Sequence, residues 1–158
     1  MSKARWFTVS GIALLGLAAI IAYAMWPGTD SRFIDPSADT ARVMLGKTVY
    51  TNHCAACHGV NLEGQANWRE RMANGRLPAP PHDKTGHTWH HPDAMLIDMI
   101  KNGLVPGRTA PPGYESDMPA YAGVLTDEEI TAVIAYIKST WPNPVLKAQK
   151  EVTLRRGD

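Results

Sequence analysis

Sulfhydryl chemistry is scarce in this 158-residue chain: it has two cysteines, and both fall in one turn, "CAACH" at residues 54–58. No second cysteine pair exists to complete a zinc site, and a bridge across so short a loop would restrain little chain entropy. An excess of charge of one sign is missing too. Sixteen Lys and Arg face 15 Asp and Glu, for a formal +1, and with Lys3 and Arg5 set aside the balance is 14 against 15. That leaves no basic face for a nucleic acid, so no nucleic-acid partner is expected. No segment alternates apolar and polar residues long enough to read as a strand, and there is no internal repeat. At 17.3 kDa the chain has room for one compact domain and little more. What remains is a small all-α domain with long loops.

One long apolar run is present. Trp6 to Trp26, "WFTVSGIALLGLAAIIAYAMW", carries no charge. At about 1.5 Å per residue a helix of that length crosses roughly 30 Å of hydrocarbon. Tryptophans bracket it, and Lys3 with Arg5 favours a cytoplasmic N-terminus. The expectation is a single transmembrane anchor over 6–26, preceded by a cytoplasmic stub at 1–5, with the rest exported to a periplasm-like space. The competing reading is a signal peptide cleaved near "AYA", Ala22 to Ala24. The run exceeds a usual signal core, and the site lies within it, which favours the anchor. Either way the same domain is exported.

Residues 27–38 are rich in Pro, Asp and Ser and read as a linker. A domain is expected over 39–142. Its first helix begins near Asp39 or Thr40, with Val43, Met44, Val49 and Tyr50 on a partly apolar face. A short helix is expected at Gln65–Met72, and another from Pro92 to Asn102, closed by Gly103. The last helix is the plainest. Thr126 and Glu129 form a capping box, Ile130, Val133, Ile134 and Ile137 recur at helical spacing up to Trp141, and Pro142 stops it. The charged tail, 143–158, is expected to be loosely ordered.

Four chemistries use two cysteines separated by two residues. A structural disulfide and a zinc site are weakened above, although His82, His87, His90 and His91 could supply zinc ligands. A thioredoxin-like pair would need strands around it. The fourth is covalent haem attachment, both thiols adding to the haem vinyls while His58 binds iron. Cysteines three apart on a helical turn project to one side, and the next residue brings its imidazole under the ring. Geometry favours this reading, which needs an iron ligand on the other face. Met118, in "SDMPAY", sits in an irregular loop shortly before the capped last helix, where Pro119 stiffens the chain. Met72, Met95 and Met99 are rivals, but on expected helices core packing is their simpler role.

With those residues in view, the domain resembles a class I, monohaem c-type cytochrome of the bacterial type. The likeness spans about residues 39–141 and rests on "GKTVYTNHCAACHG", "LPAPP", "MPAY" and "LTDEEITAVIAYIKSTW". It implies one covalently bound haem c and a helical fold whose first and last helices cross beside it, with Gly46, Tyr50 and Tyr136 at the crossing. It also implies that a proline-loop carbonyl, best matched by Pro80, accepts the second ring proton of His58. That bond would fix the ring and raise its basicity. The departure is "HDKTGHTWHHPD", 82–93, with four histidines. In the simpler reading Trp89 and one histidine reach the haem propionates. In the other, His87, His90 and His91 converge on copper or zinc.

His and Met on both faces of iron leave no open position and raise the potential, which suits electron transfer over catalysis. The expected function is a membrane-tethered shuttle, not an enzyme in itself, passing single electrons between respiratory or other redox complexes on the periplasmic side. The alternatives are a haem subunit of a larger oxidoreductase and a copper-handling protein using the His82–His91 loop.

Overall fold

The computed structural model describes residues 31–155. The expected anchor at 6–26 lies outside the described residues, and among those described no helix is long and apolar enough to cross a membrane. Among the described residues five α-helices follow in order: α1 (Thr40–His53), α2 (Ala55–His58), α3 (Asp93–Asn102), α4 (Asp127–Ser139) and α5 (Asn143–Arg155). A 3-10 turn at Thr88–His90 precedes α3. Among the described residues there are isolated bridges but no strand, so the domain is all-α.

The Asp39 carboxylate caps α1 by accepting from the Arg42 N–H at 3.1 Å. At α4, Thr126 and Glu129 form the reciprocal capping box: the Glu129 N–H donates to Thr126 Oγ1 at 3.2 Å, and the Thr126 N–H donates to Glu129 Oε2 at 2.8 Å. Helices α1 and α4 cross at Gly46. A Cβ there would overlap the Ala132 carbonyl and lie 2.9 Å from Tyr136 Cβ, so only glycine lets the backbones approach this closely. Tyr50 and Tyr136 pack beside the crossing, with ring centroids 5.5 Å apart. The core continues through Val49, Leu96, Ile130, Val133, Ile134 and Ile137.

Two expectations need correction. Gln65–Met72 forms turns, not a helix. Asn67 takes a left-handed φ of 54°, and Gln65 spends its backbone N–H on the Ala79 carbonyl across the loop. The tail at 143–158 is not loose over its described length, because α5 runs to Arg155. Pro142 ends α4 and also starts α5, its carbonyl accepting from Val145 and Leu146 at 2.9 and 3.1 Å. Helix α5 packs on the 3-10 turn.

Besides Val145 and Leu146 packed against the core, a fully buried polar cluster holds α5. The Lys138 ammonium donates to both Asp93 oxygens at 2.8 and 2.9 Å, and both side chains are essentially inaccessible. Gln149 Nε2 donates to Asp93 Oδ1 at 2.6 Å and to Thr153 Oγ1 at 3.0 Å. The Ile34 N–H donates to Asp93 Oδ2 at 2.6 Å, which draws in the segment before α1. Phe33 lies 3.7 Å under the ammonium. Burial pushes the Lys138 pKa down to about 8, against the opposing pull of Asp93. One ion pair therefore joins four separate stretches of chain.

Candidate functional site

A cavity of about 600 Å³ opens beside the α1–α4 crossing, within the roughly 300–1,000 Å³ range of cofactor sites. Cys54, Cys57, His58, Pro80 and Met118 all lie on its wall. Apolar side chains such as Leu96, Ile100, Leu104 and Val133 supply much of the rest.

The cysteine turn is set by α1. The Tyr50 hydroxyl, at the end of a buried ring, donates to the Gly59 carbonyl at 2.8 Å and so ties α1 to the far end of α2. Both thiols are free, Cys57 exposed and Cys54 half-buried. Burial, with help from the neighbouring Cys57, pushes the Cys54 thiol up to about 11, so it stays protonated at neutral pH.

His58 is buried, and its Nδ1 lies 2.8 Å from the Pro80 carbonyl oxygen. A carbonyl can only accept, so Nδ1 carries the proton and Nε2 keeps its lone pair for a metal. Burial lowers the His58 pKa, while the Pro80 bond opposes it, and the neutral form suits ligation. Pro80 is placed by a close backbone approach: a Cβ on Gly64 (φ +69°) would lie 2.7 Å from the Pro80 carbonyl carbon.

Met118 is half-buried and lines the same cavity, with its N–H donating to Ser116 Oγ at 3.0 Å. Of its rivals, Met95 does not line the cavity. Met99 does, as part of the packing against the core, and Met72 lines it from an exposed loop.

The histidine loop reaches the cavity through His82, His87 and His91. Among the described residues no three His, Cys, Asp or Glu side chains are grouped to hold a metal ion. Three of the four imidazoles stack on another ring, and His87 also meets His91 edge to face with centroids 5.6 Å apart. His82 stacks on His58 with centroids 4.0 Å apart, His87 on Trp68 at 5.5 Å and His90 on Trp89 at 3.6 Å. Trp89 is not on the cavity wall. Its ring packs against the core beside α5, with Nε1 buried and without a hydrogen-bond partner among the described residues. His82 does line the cavity. Its Nδ1 pairs with Thr88 Oγ1 at 2.8 Å, its carbonyl accepts from Trp141 Nε1 at 2.8 Å, and burial holds its pKa well below the usual value. Sequence reasoning gave no hint of the His58–His82 stack, because the two rings meet through tertiary packing alone. It also passed over Tyr121, which lines the cavity and donates its hydroxyl proton to the His53 carbonyl at 2.6 Å. An apolar cavity carrying two thiols, a neutral imidazole and a thioether fits a haem attached through the cysteines.

Comparison with known proteins agrees with haem attachment at Cys54, Cys57 and His58. The family model for cytochrome c matches residues 43–141. The chain is 26% identical to the gluconate 2-dehydrogenase cytochrome c subunit of Pantoea cypripedii over 87% of its own length and 27% of that protein. It is 33% identical to the cbb3-type cytochrome c oxidase subunit CcoP of Azospirillum brasilense over 64% of this chain and 29% of that one. It is 31% identical to cytochrome c6 of Thermosynechococcus vestitus over 66% of this chain and 75% of that one. The chain thus spans less than a third of the first curated relatives it matches. No solved structure matches it. With the family match spanning most of the described domain, and with Cys54, Cys57 and His58 in the haem-binding pattern, this chain belongs to the cytochrome c family and carries an electron-transfer domain that binds haem c.

Proposed function

We propose that this protein is a single-haem electron shuttle, anchored by residues 6–26 and passing electrons one at a time between membrane redox complexes on the periplasmic side. In this reading Cys54 and Cys57 hold the haem, while His58 and Met118 are the axial ligands. The observation that carries it is that one cavity is lined by both thiols, Met118 and a buried His58 whose free nitrogen is Nε2. A haem ligated by imidazole and thioether supplies a one-electron couple at raised potential with no open position for oxygen or peroxide. The chain's own part is to keep that site dry and orient the ligands. Pro80 holds the His58 ring in one tautomer, and the apolar wall lowers the local dielectric. Periplasmic placement and tethering rest on the uncharged run 6–26 preceded by Lys3 and Arg5.

The test is a reduced-minus-oxidised spectrum of the membrane fraction, with a haem stain on the denatured band. The expected result is a c-type spectrum, a stained band near 17.3 kDa and no change on adding carbon monoxide. Substituting Cys54 and Cys57 together with Ser should abolish the stain, and a stained double variant would overturn the reading.

A second reading has its own support. The names of two relatives describe subunits of larger oxidoreductases. As such a subunit, the protein would co-migrate with a dehydrogenase or oxidase on a native gel; as a shuttle it would run alone.

A further inference from the structure

The loop that carries Met118 is long, irregular and half-exposed, yet a thioether ligand has to be held at iron distance. Its return is fixed to α3, where the Tyr121 and Ala122 N–H groups donate to the Ile100 and Lys101 carbonyls at 3.0 and 2.8 Å. Among the described residues, the ion pairs of its approach, Glu115–Asp117, go to one side chain from outside the loop. Arg76 pairs with Asp117 through Nη1 and with Glu115 through Nε, the latter at 3.5 Å. Asp117 is the residue immediately before Met118.

Arg76 is itself well placed to hold. It closes a tight turn in which the Met72 N–H donates to the Arg76 carbonyl at 2.9 Å and the Gly75 N–H to the Met72 carbonyl at 2.9 Å. The Arg76 N–H donates to Asn74 Oδ1 at 3.0 Å, and Arg71 Nη1 donates to the Gly75 carbonyl at 2.6 Å. Arg71 also lies 6.0 Å over the Tyr114 ring, a second contact with the same loop. Four positions beyond Arg76 is Pro80, whose carbonyl holds His58. Leu77 and Pro78, between them, line the cavity.

We propose that Arg76 is a positioning residue for the Met118 ligand, a latch joining the loop that steadies His58 to the loop that presents Met118. This rests on the reading of Met118 as an iron ligand. The planar guanidinium suits the task, because two of its donors reach two carboxylates at once and a lysine could hold one. The latch is exposed: Arg76, Glu115 and Asp117 side chains are 37, 70 and 54% accessible. Exposed pairs contribute modestly, so the latch governs how often the loop opens and leaves the fold standing.

The test uses ferric holoprotein and an exogenous ligand that can enter only when Met118 leaves. Arg76→Gln should speed cyanide binding about fivefold and weaken the red-end sulfur-to-iron band, with haem content and unfolding midpoint nearly unchanged. Salt near 1 M, where the Debye length is about 3 Å, should speed cyanide binding in the wild type toward the variant's rate. Arg76→Lys should recover about half of the effect. Asp117→Asn with Glu115→Gln should reproduce it, and adding Arg76→Gln to that pair should change little. If the wild type shows the sulfur band and Arg76→Gln leaves the cyanide rate unchanged, the latch is wrong while Met118 ligation stands. A lowered unfolding midpoint with no change in band or rate would mark an ordinary surface ion pair and also overturn it. A wild type without the band removes the Met118 ligand, and the latch falls with it.

Discussion

The wall that carries His58 and the loop that carries Met118 are built by opposite means. Around His58 the groups are buried and the ties are numerous. Pro80 holds Nδ1, His82 stacks on the ring, Trp141 holds the His82 carbonyl, and Tyr50 closes the turn at Gly59. Behind them the Lys138–Asp93–Gln149 knot braces the histidine loop, with Gln149 Nε2 also donating to the His91 carbonyl at 3.1 Å. The Met118 side has exposed ion pairs and short turns in their place. Buried hydrogen-bonded networks resist opening, while solvent-facing pairs are screened and yield. In the proposed ligation, the contrast implies one ligand that does not leave and one that can exchange.

Met118→Ala strikes at that asymmetry most directly and should have the largest effect. Haem should stay attached through Cys54 and Cys57, carbon monoxide should bind, and the potential should fall by on the order of 0.2 V, within the ~0.8 V span set by axial ligands. Redox titration and a carbon monoxide difference spectrum check it. A variant that keeps the parent potential and binds no carbon monoxide would place the sixth ligand elsewhere, with Met72 and Met99 the other methionines on the wall.

Next in size is Lys138→Met. Removing one partner strands the Asp93 carboxylate in the interior, at a cost of about 3–5 kcal/mol. Denaturant unfolding of the holoprotein measures it. Adding Asp93→Leu should restore much of the loss, because two apolar side chains leave no unpaired charge. If the single variant unfolds like the parent, the brace on the His58 side is no stronger than the surface pairs on the other.

Tyr50→Phe should have the smallest effect. It deletes the hydroxyl that reaches the Gly59 carbonyl and keeps the ring against Tyr136, so a loss of about 1 kcal/mol is expected. Thermal unfolding reads it as a drop of a few degrees. The haem spectrum should not change, since Pro80 still holds His58.

Some elements were legible because their signals are local. The capping box at Thr126 and Glu129 names α4, and Pro92 with Gly103 brackets α3, although Pro92 turns out to cap it while Asp93 begins it. Helix α5 was missed because its fully buried residues, Gln149 and Thr153, are polar. An apolar period cannot reveal a face whose inward positions hydrogen-bond to a carboxylate. The segment 65–72 was misread for the converse reason: its composition tolerates a helix, but its backbone is spent on a partner fourteen residues away.

The sequence by itself determined the haem-attachment chemistry and pointed to Met118 as the proposed sixth ligand. Two thiols three residues apart followed by imidazole, and a methionine in a proline-stiffened loop before a capped helix, are patterns of neighbouring residues that need no fold to be read. Tertiary structure alone decided which groups surround those donors: His82 on His58, His87 and His91 at the cavity, Trp89 packed against the core, Lys138 sealed with Asp93, and Arg76 reaching Glu115 and Asp117 from about forty positions away. The physical reason is range. Capping and spacing act within a turn or two of backbone, whereas burial and ion pairing depend on which distant segments the collapsed core brings together.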